Sequence, residues 1–123
     1  MRALLDTHVL LWVLLGSSRL KEFPRLEAYR PWAISPVSLL EIEFLSEVGR
    51  LEVRGPELRA AIGRDTRFEL DDPGLSSLVH QALGLSWTRD PFDRLLAAHS
   101  SARKLPLVTA DQNLRAHHRW LAE

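Results

Sequence analysis

The chain has no cysteine, which excludes a disulfide framework, a thiol nucleophile and any zinc or iron–sulfur site built on cysteine. Lysine is nearly missing too: of sixteen basic residues, fourteen are Arg and only Lys21 and Lys104 are Lys. Arg favours bidentate contacts to phosphate or carboxylate. Sixteen acidic residues cancel the basic ones, so total charge announces neither a nucleic-acid binder nor a membrane binder. There is no long hydrophobic run. Val9 to Leu15 is too short to span a bilayer. Asp6 and His8 break the apolar start, and no small-residue cleavage site follows before Lys21-Glu22. A cytoplasmic protein that begins at residue 1 and has no membrane partner is expected, and the missing cysteines suit a reducing compartment. No P-loop or Gly-rich dinucleotide fingerprint occurs, which argues against a nucleotide cofactor.

What is present is ordinary globular material. With 123 residues, 46% hydrophobic and 26% charged, the sequence predicts one domain over 1–123 with a core of its own. No repeat, low-complexity stretch or Gly/Ser linker divides it. Arg2 to Asp6 reads as a short buried strand. Val9 to Leu15 reads as a helix closing near Gly16-Ser17-Ser18, and a second helix, disturbed by Pro24, is expected over about 19–30. Trp32 to Ser35 is a strand, and Pro36 opens a helix that runs to about Val48 and stops at Gly49. Helices are expected over 56–66 and 74–84, with a short edge strand at Arg67 to Leu70 between them. Asp90-Pro91 opens a helix to about Arg103, 105–109 is a strand, and a last helix starts at Asp111. Trp120-Leu121 is an optional final strand. Strands alternating with helices imply an α/β fold with a parallel sheet covered on both faces.

In such sheets, sites form beyond the carboxyl ends of the strands. Asp6 ends the first strand, and Asp111 follows the strand that ends at Thr109. Both also precede helices, where Asp is a favoured N-cap. Asp90-Pro91-Phe92-Asp93 carries the same ambiguity: Asp90 as cap, Pro91 at the first helical position and Asp93 in the first turn is good helix-start chemistry. That register turns Asp93 toward the strand ends and leaves Asp90 a supporting role. Glu41 stands apart from these three. At 100° per residue, Val37, Leu40, Phe44, Leu45 and Val48 make one apolar arc, and Glu41 falls inside it. A carboxylate there needs a partner, either an Arg or a bound cation. Three Asp and one inward Glu form an all-oxygen set, which selects hard cations such as Mg²⁺ or Mn²⁺. Lacking a nucleophile of their own, such acids suit metal activation of water against a phosphodiester, with one ion or two.

The segments Leu5-Asp6-Thr7-His8-Val9-Leu10-Leu11-Trp12, Ser38-Leu39-Leu40-Glu41, Asp90-Pro91-Phe92-Asp93-Arg94-Leu95-Leu96-Ala97-Ala98 and Leu107-Val108-Thr109-Ala110-Asp111 occur in that order. Together they resemble the PIN-domain ribonucleases, in particular the VapC-type toxins of toxin–antitoxin pairs, over essentially the whole chain. The resemblance implies a three-layer α/β/α domain around a parallel sheet of four to five strands. It also implies endoribonuclease activity dependent on Mg²⁺ or Mn²⁺. The family's acidic quartet carries over onto Asp6, Glu41, Asp93 and Asp111, and its small hydroxyl positions onto Thr7 and Thr109. A homodimer, an RNA substrate and a separately encoded antitoxin lying over the acidic pocket are further implications. Two departures stand out: the family's His-Arg before Asp-Pro-Phe-Asp is Thr88-Arg89 here, and the aromatic often found before its Glu is Leu40. Neither removes a ligand.

Other residues are given lesser parts. His8 can lie near the pocket but reads first as packing or capping. His117-His118 lack a metal-binding pattern. Trp12, Trp32, Trp87 and Trp120 read as core or interface, although an exposed one could stack on an RNA base. Leu39 and Ile42 suggest a second buried face on their helix, for core packing or for a dimer or antitoxin groove. RNA affinity falls to local Arg groups such as Arg89, Arg94, Arg103 and Arg115. Two other classes compete. A catalytically inactive PIN-like module would bind RNA or protein without needing an acidic pocket. A receiver-type signalling domain wants a Lys ending a late strand, whereas Lys104 precedes one.

Overall fold

A computed structural model describes residues 2–123; Met1, included in the expected domain 1–123, lies outside them. Four short parallel strands form one sheet: β1 (Leu4–Leu5), β2 (Trp32–Ile34), β3 (Phe68–Leu70) and β4 (Leu107–Val108), in the order β3-β2-β1-β4. Among the described residues six α-helices surround them: α1 (Thr7–Leu15), α2 (Pro36–Glu47), α3 (Gly55–Arg64), α4 (Leu75–Leu83), α5 (Pro91–Arg103) and α6 (Gln112–His117). Strand neighbours in sequence point to opposite faces, and here both faces are apolar. Leu5, Trp32, Ile34 and Val108 pack on one side with Val9, Ile42 and Leu58. Leu4, Ala33 and Leu107 pack on the other with Ala97 and Leu114. That double burial makes the domain a three-layer α/β/α sandwich, as the alternation of strands and helices implies, with β3 at one edge. At the other edge Leu107 forms a single parallel bridge to Leu121, so the optional last strand shrinks to one contact.

Two expectations need correction. Residues 19–30 do not form one helix. They form two 3₁₀ segments, Ser18–Glu22 and Leu26–Tyr29, separated around Pro24, whose ring cannot sit inside a continuous helix. Gly16 adopts φ 64° and ends α1, a conformation that costs glycine nothing. The second correction concerns α2. Its inward face is Val37, Ser38, Glu41, Ile42 and Leu45, while Leu40, Phe44 and Val48 of the expected arc are exposed. The inward face serves a polar site as well as the core, so it is less apolar than the face turned to solvent. Glu41 is buried as expected, but on that mixed face.

Candidate active site

Parallel strands deliver their carboxyl ends to one edge of the sheet; Asp6 and Asp111 come from the turns there, Glu41 from α2 and Asp93 from the first turn of α5. β1 ends at Leu5, and Asp6 becomes the N-cap of α1. One Asp6 oxygen accepts the His8 N–H at 3.3 Å, and the other accepts the Thr109 hydroxyl. Thr109 Oγ1 in turn accepts the Asp111 N–H at 3.0 Å. Asp111 caps α6, accepting the Leu114 N–H through Oδ1 at 2.9 Å, and stays exposed. Ser35, just past β2, caps α2 by accepting the Val37 N–H at 3.1 Å. With Pro36 in the first turn, this aims Glu41 inward. Asp90 caps α5, accepting the N–H groups of Phe92 at 2.8 Å and Asp93 at 3.2 Å. Each Asp cap is therefore real, but Asp6 is more than a cap, because it is 3% exposed.

Electrostatics joins these acids into one group. Burial pushes the Asp93 carboxyl up to about 7, and the charges of Asp90, Asp6, Asp111 and Glu41 push it the same way. Burial also raises Asp6; Thr109 and His8 pull it back, and Asp111 adds to the rise. Glu41 is raised by burial first, with contact to the Thr7 hydroxyl offsetting part of it and Asp6 adding to it. That relief is limited, since Thr7 has one hydroxyl proton and donates it to Ser38 Oγ at 2.8 Å. Glu41 Oε1 is buried with no hydrogen-bond partner. Among the described residues, none of Asp6, Glu41, Asp93 and Asp111 forms an ion pair, so an Arg partner for Glu41 is ruled out there. A buried, unpaired carboxylate oxygen on a group that already feels the charges of Asp6 and Asp90 is costly alone and suits a cation. The donor set is all oxygen and fits a hard divalent ion. Among the described residues no three His, Asp or Glu side chains already close into a coordination shell. Mutual repulsion of carboxylates opposes such closure.

The Arg residues do not share one face over these acids. Arg94 is turned away, donating to the carbonyls of Ala82 at 2.8 Å and Leu83 at 3.2 Å and so closing α4. Arg103 pairs with Asp71. Arg115 stays near the site, donating to the Thr109 carbonyl at 3.1 Å, and Arg89 is exposed beside Asp90. His117 stacks on Trp87 with centroids 5.3 Å apart, and His118 bonds Ser100 at 2.8 Å.

Three features escaped the sequence. His8 is exposed on the rim rather than packed. A cleft beside Asp6 and Asp111 is lined by His8, Trp12 and Arg19; a Trp four residues after a His on one helix was its only signal. The third is a buried chain under α2. His99 contacts Ser35 Oγ through Nδ1 at 2.7 Å and Asp71 through Nε2 at 2.8 Å, and Arg103 grips Asp71 at 3.1 Å. Nothing in the spacing of these residues marks them as partners.

The PIN domain family model matches residues 3–119 of the chain. Among solved structures, VapBC2 from Rickettsia felis bound to a promoter DNA fragment is similar, with TM-score 0.67 and 18% identity over 98% of this chain and 96% of that one. DNA-bound VapBC from Salmonella typhimurium gives TM-score 0.65 and 22% identity over 98% and 95%. A toxin–antitoxin complex from Klebsiella pneumoniae gives 0.65 and 20% over 91% and 89%. At such identities the likeness is one of fold. No curated relative matches the chain.

Proposed function

This chain belongs to the PIN domain family, as the match over residues 3–119 shows, and from that premise we propose that it is a metal-dependent endoribonuclease, the VapC-like toxin of a toxin–antitoxin pair. The observation that carries the reading is Glu41 Oε1, buried without a partner on a carboxyl that feels the charge of Asp6 and in turn raises Asp93. A module that only binds RNA or protein has no use for that cost. Asp6, Glu41, Asp93 and Asp111 would hold Mg²⁺ or Mn²⁺, which when bound supplies activated water and neutralises charge on the scissile phosphate. The protein's own groups do the rest. Thr109 fixes Asp6 and the start of the Asp111 turn with one hydroxyl. Asp93, pushed up to about 7 without a cation, would give up its proton as the ion arrives, because a ligating carboxylate must be ionised. The Ser35 cap and the Thr7–Ser38 bond hold α2 so that Glu41 faces inward.

The similar structure from Klebsiella pneumoniae is a toxin–antitoxin complex and the other two are VapBC assemblies on DNA, and this chain offers a surface for a protein partner. Leu40 and Leu75 are 63% and 74% exposed. They line an apolar groove of about 320 Å³ together with Val37, Leu78, Phe92 and Leu95. Phe92 touches Phe44, with ring centroids 5.5 Å apart, and immediately precedes Asp93. A partner seated there, whether an antitoxin or the second copy of a homodimer, would rest on α2 and on the first turn of α5, the two elements that carry Glu41 and Asp93. Among the described residues no helix is long and apolar enough to cross a membrane, and a toxin that cuts cellular RNA would act in the cytoplasm. The decisive test is cleavage of single-stranded RNA by the purified chain. It should appear with Mg²⁺ or Mn²⁺, stop in EDTA, and stop in Asp6→Asn. Cleavage that persists in chelator rejects the proposal.

A further inference from the structure

We propose that the cleft beside the acids is a nucleotide subsite, in which a base flanking the scissile phosphate stacks on the Arg19–Trp12 pair; this rests on the ribonuclease reading. The cleft holds about 200 Å³ and is lined by Asp6, His8, Trp12, Arg19, Ala110 and Asp111. Two of its walls are therefore members of the acidic quartet, so a nucleotide there is adjacent to the reacting position. Its third wall is built by the chain reversal after α1. Gly16 turns the backbone, Ser17 N–H returns to the Trp12 carbonyl at 2.9 Å, and Ser17 Oγ accepts the Arg19 N–H at 3.1 Å. This places the Arg19 guanidinium over the Trp12 ring, 4.3 Å from its centroid.

The pair has the features of a base platform. Glu22 holds the guanidinium from the side, so Arg19 is fixed before a ligand arrives and little ordering cost remains. Its side chain is still 53% exposed, which leaves contact area for a base, and bases stack on guanidinium planes as they do on aromatic rings. Because Glu22 already answers its charge, stacking rather than phosphate pairing is the main attraction. His8, one turn before Trp12 on α1 and exposed, is the other basic side chain of the cleft. Past Ala110 a second hollow of about 220 Å³ opens beside Gln112 and Arg115. A strand thus has room to continue along the β4–α6 turn.

The test uses the whole chain, without metal, in EDTA. The nucleotides 5′-AMP and 5′-UMP are titrated while the indole N–H resonance of Trp12, assigned with Trp12→Phe, is followed. Ribose 5-phosphate serves as the baseless control. Both nucleotides should shift Trp12 and the control should not, and Arg19→Ala should weaken the nucleotide response at least about fivefold. In RNA cleavage with Mn²⁺, Arg19→Ala should raise KM on the order of tenfold with kcat within about twofold, a loss of uniform binding. Arg19→Gln, which keeps the length and loses the cation, should behave like the Ala variant. An equal shift by ribose 5-phosphate, or unchanged binding and KM in both variants, overturns the subsite. Wild-type cleavage with an unmoved Trp12 rejects the subsite and spares the nuclease. Nucleotide binding at Trp12 in a chain that cleaves no RNA does the reverse.

Discussion

Thr109 and Asp6 stand 103 positions apart in sequence and are joined by a single hydroxyl bond across the ends of β4 and β1. The same hydroxyl oxygen accepts the Asp111 N–H. One small side chain thereby sets the spacing of two acids. Thr109→Val keeps the shape and removes both bonds, leaving one oxygen of a buried carboxylate without its donor. It should destabilise the protein by about 1–3 kcal/mol, raise the Asp6 pKa further, and weaken Mn²⁺ binding. Thr109→Ser should restore all three. Urea melts and Mn²⁺ titration calorimetry of the two variants measure this. Equal behaviour of Val and Ser would make the hydroxyl irrelevant.

Glu41 supplies the sharpest contrast between stability and function. Its ionised form is opposed by burial and by Asp6, and Oε1 has no donor. Glu41→Gln removes the charge at constant shape. The metal-free variant should melt higher than wild type in EDTA, as expected where a site is strained for function. It should also lose most of the stabilisation that Mn²⁺ gives the wild type by mass action, together with RNA cleavage. A lower melting temperature in EDTA would show that Glu41 is paired in solution and would remove the chief argument for a cation.

The strands β1, β2 and β4 were legible because both their faces are apolar, which shows as short unbroken runs such as Ala3-Leu4-Leu5, while the edge strand β3 buries only Phe68. The Asp turns were legible because caps and strand ends have local grammar. α2 was harder. Val37 and Leu45 of its apolar arc are buried, but Leu40, Phe44 and Val48 face solvent, so periodicity drew the inward face too wide even though Glu41 itself was placed inward. A groove for a partner and a core look alike in a helical wheel. The 3₁₀ segments after Gly16 were misread as a helix, and with them went the route that brings Arg19 over Trp12. That contact depends on a chain reversal, not on spacing.

His99 was invisible for a related reason: its partners Ser35 and Asp71 come from just past β2 and β3, far off in sequence. Burial pushes the imidazole down, while Asp71 opposes the shift, so the neutral ring receives the Ser35 hydroxyl and donates to Asp71. Burial alone would raise Asp71, yet Arg103 and His99 hold it below the usual carboxylate range. Removing the centre of this chain strands polar groups at both ends. His99→Leu should cost about 2–4 kcal/mol. His99→Gln, which can still bond one neighbour, should cost less. Denaturant melts at pH 7 decide this, and a neutral His99→Leu would show that the chain adds nothing to stability.

Asp93 and Asp90 give the pH signature of the site. Asp93 titrates near 7 in the folded protein, against about 3.9 unfolded. Because the folded pKa is the higher one, the folded state holds its proton longer. The stabilisation is complete below about pH 4 and is lost as pH rises toward 7. A shift of that size corresponds to about 4 kcal/mol, which screening at a partly exposed carboxyl reduces to about 1–2 kcal/mol. Asp93→Asn should therefore stabilise the metal-free protein by that amount at pH 8 and by almost nothing at pH 4. Asp90→Ser should keep the α5 cap, remove the largest charge acting on Asp93, and move the Asp93 titration to lower pH with a smaller gain at pH 8. Asp90→Ala should gain the same electrostatic relief but give back about 1 kcal/mol through the lost cap. Urea melts in EDTA from pH 4 to 8 separate the three variants. Parallel pH curves for wild type and Asp93→Asn would mean that Asp93 is ordinarily ionised and that the acids do not act as one group.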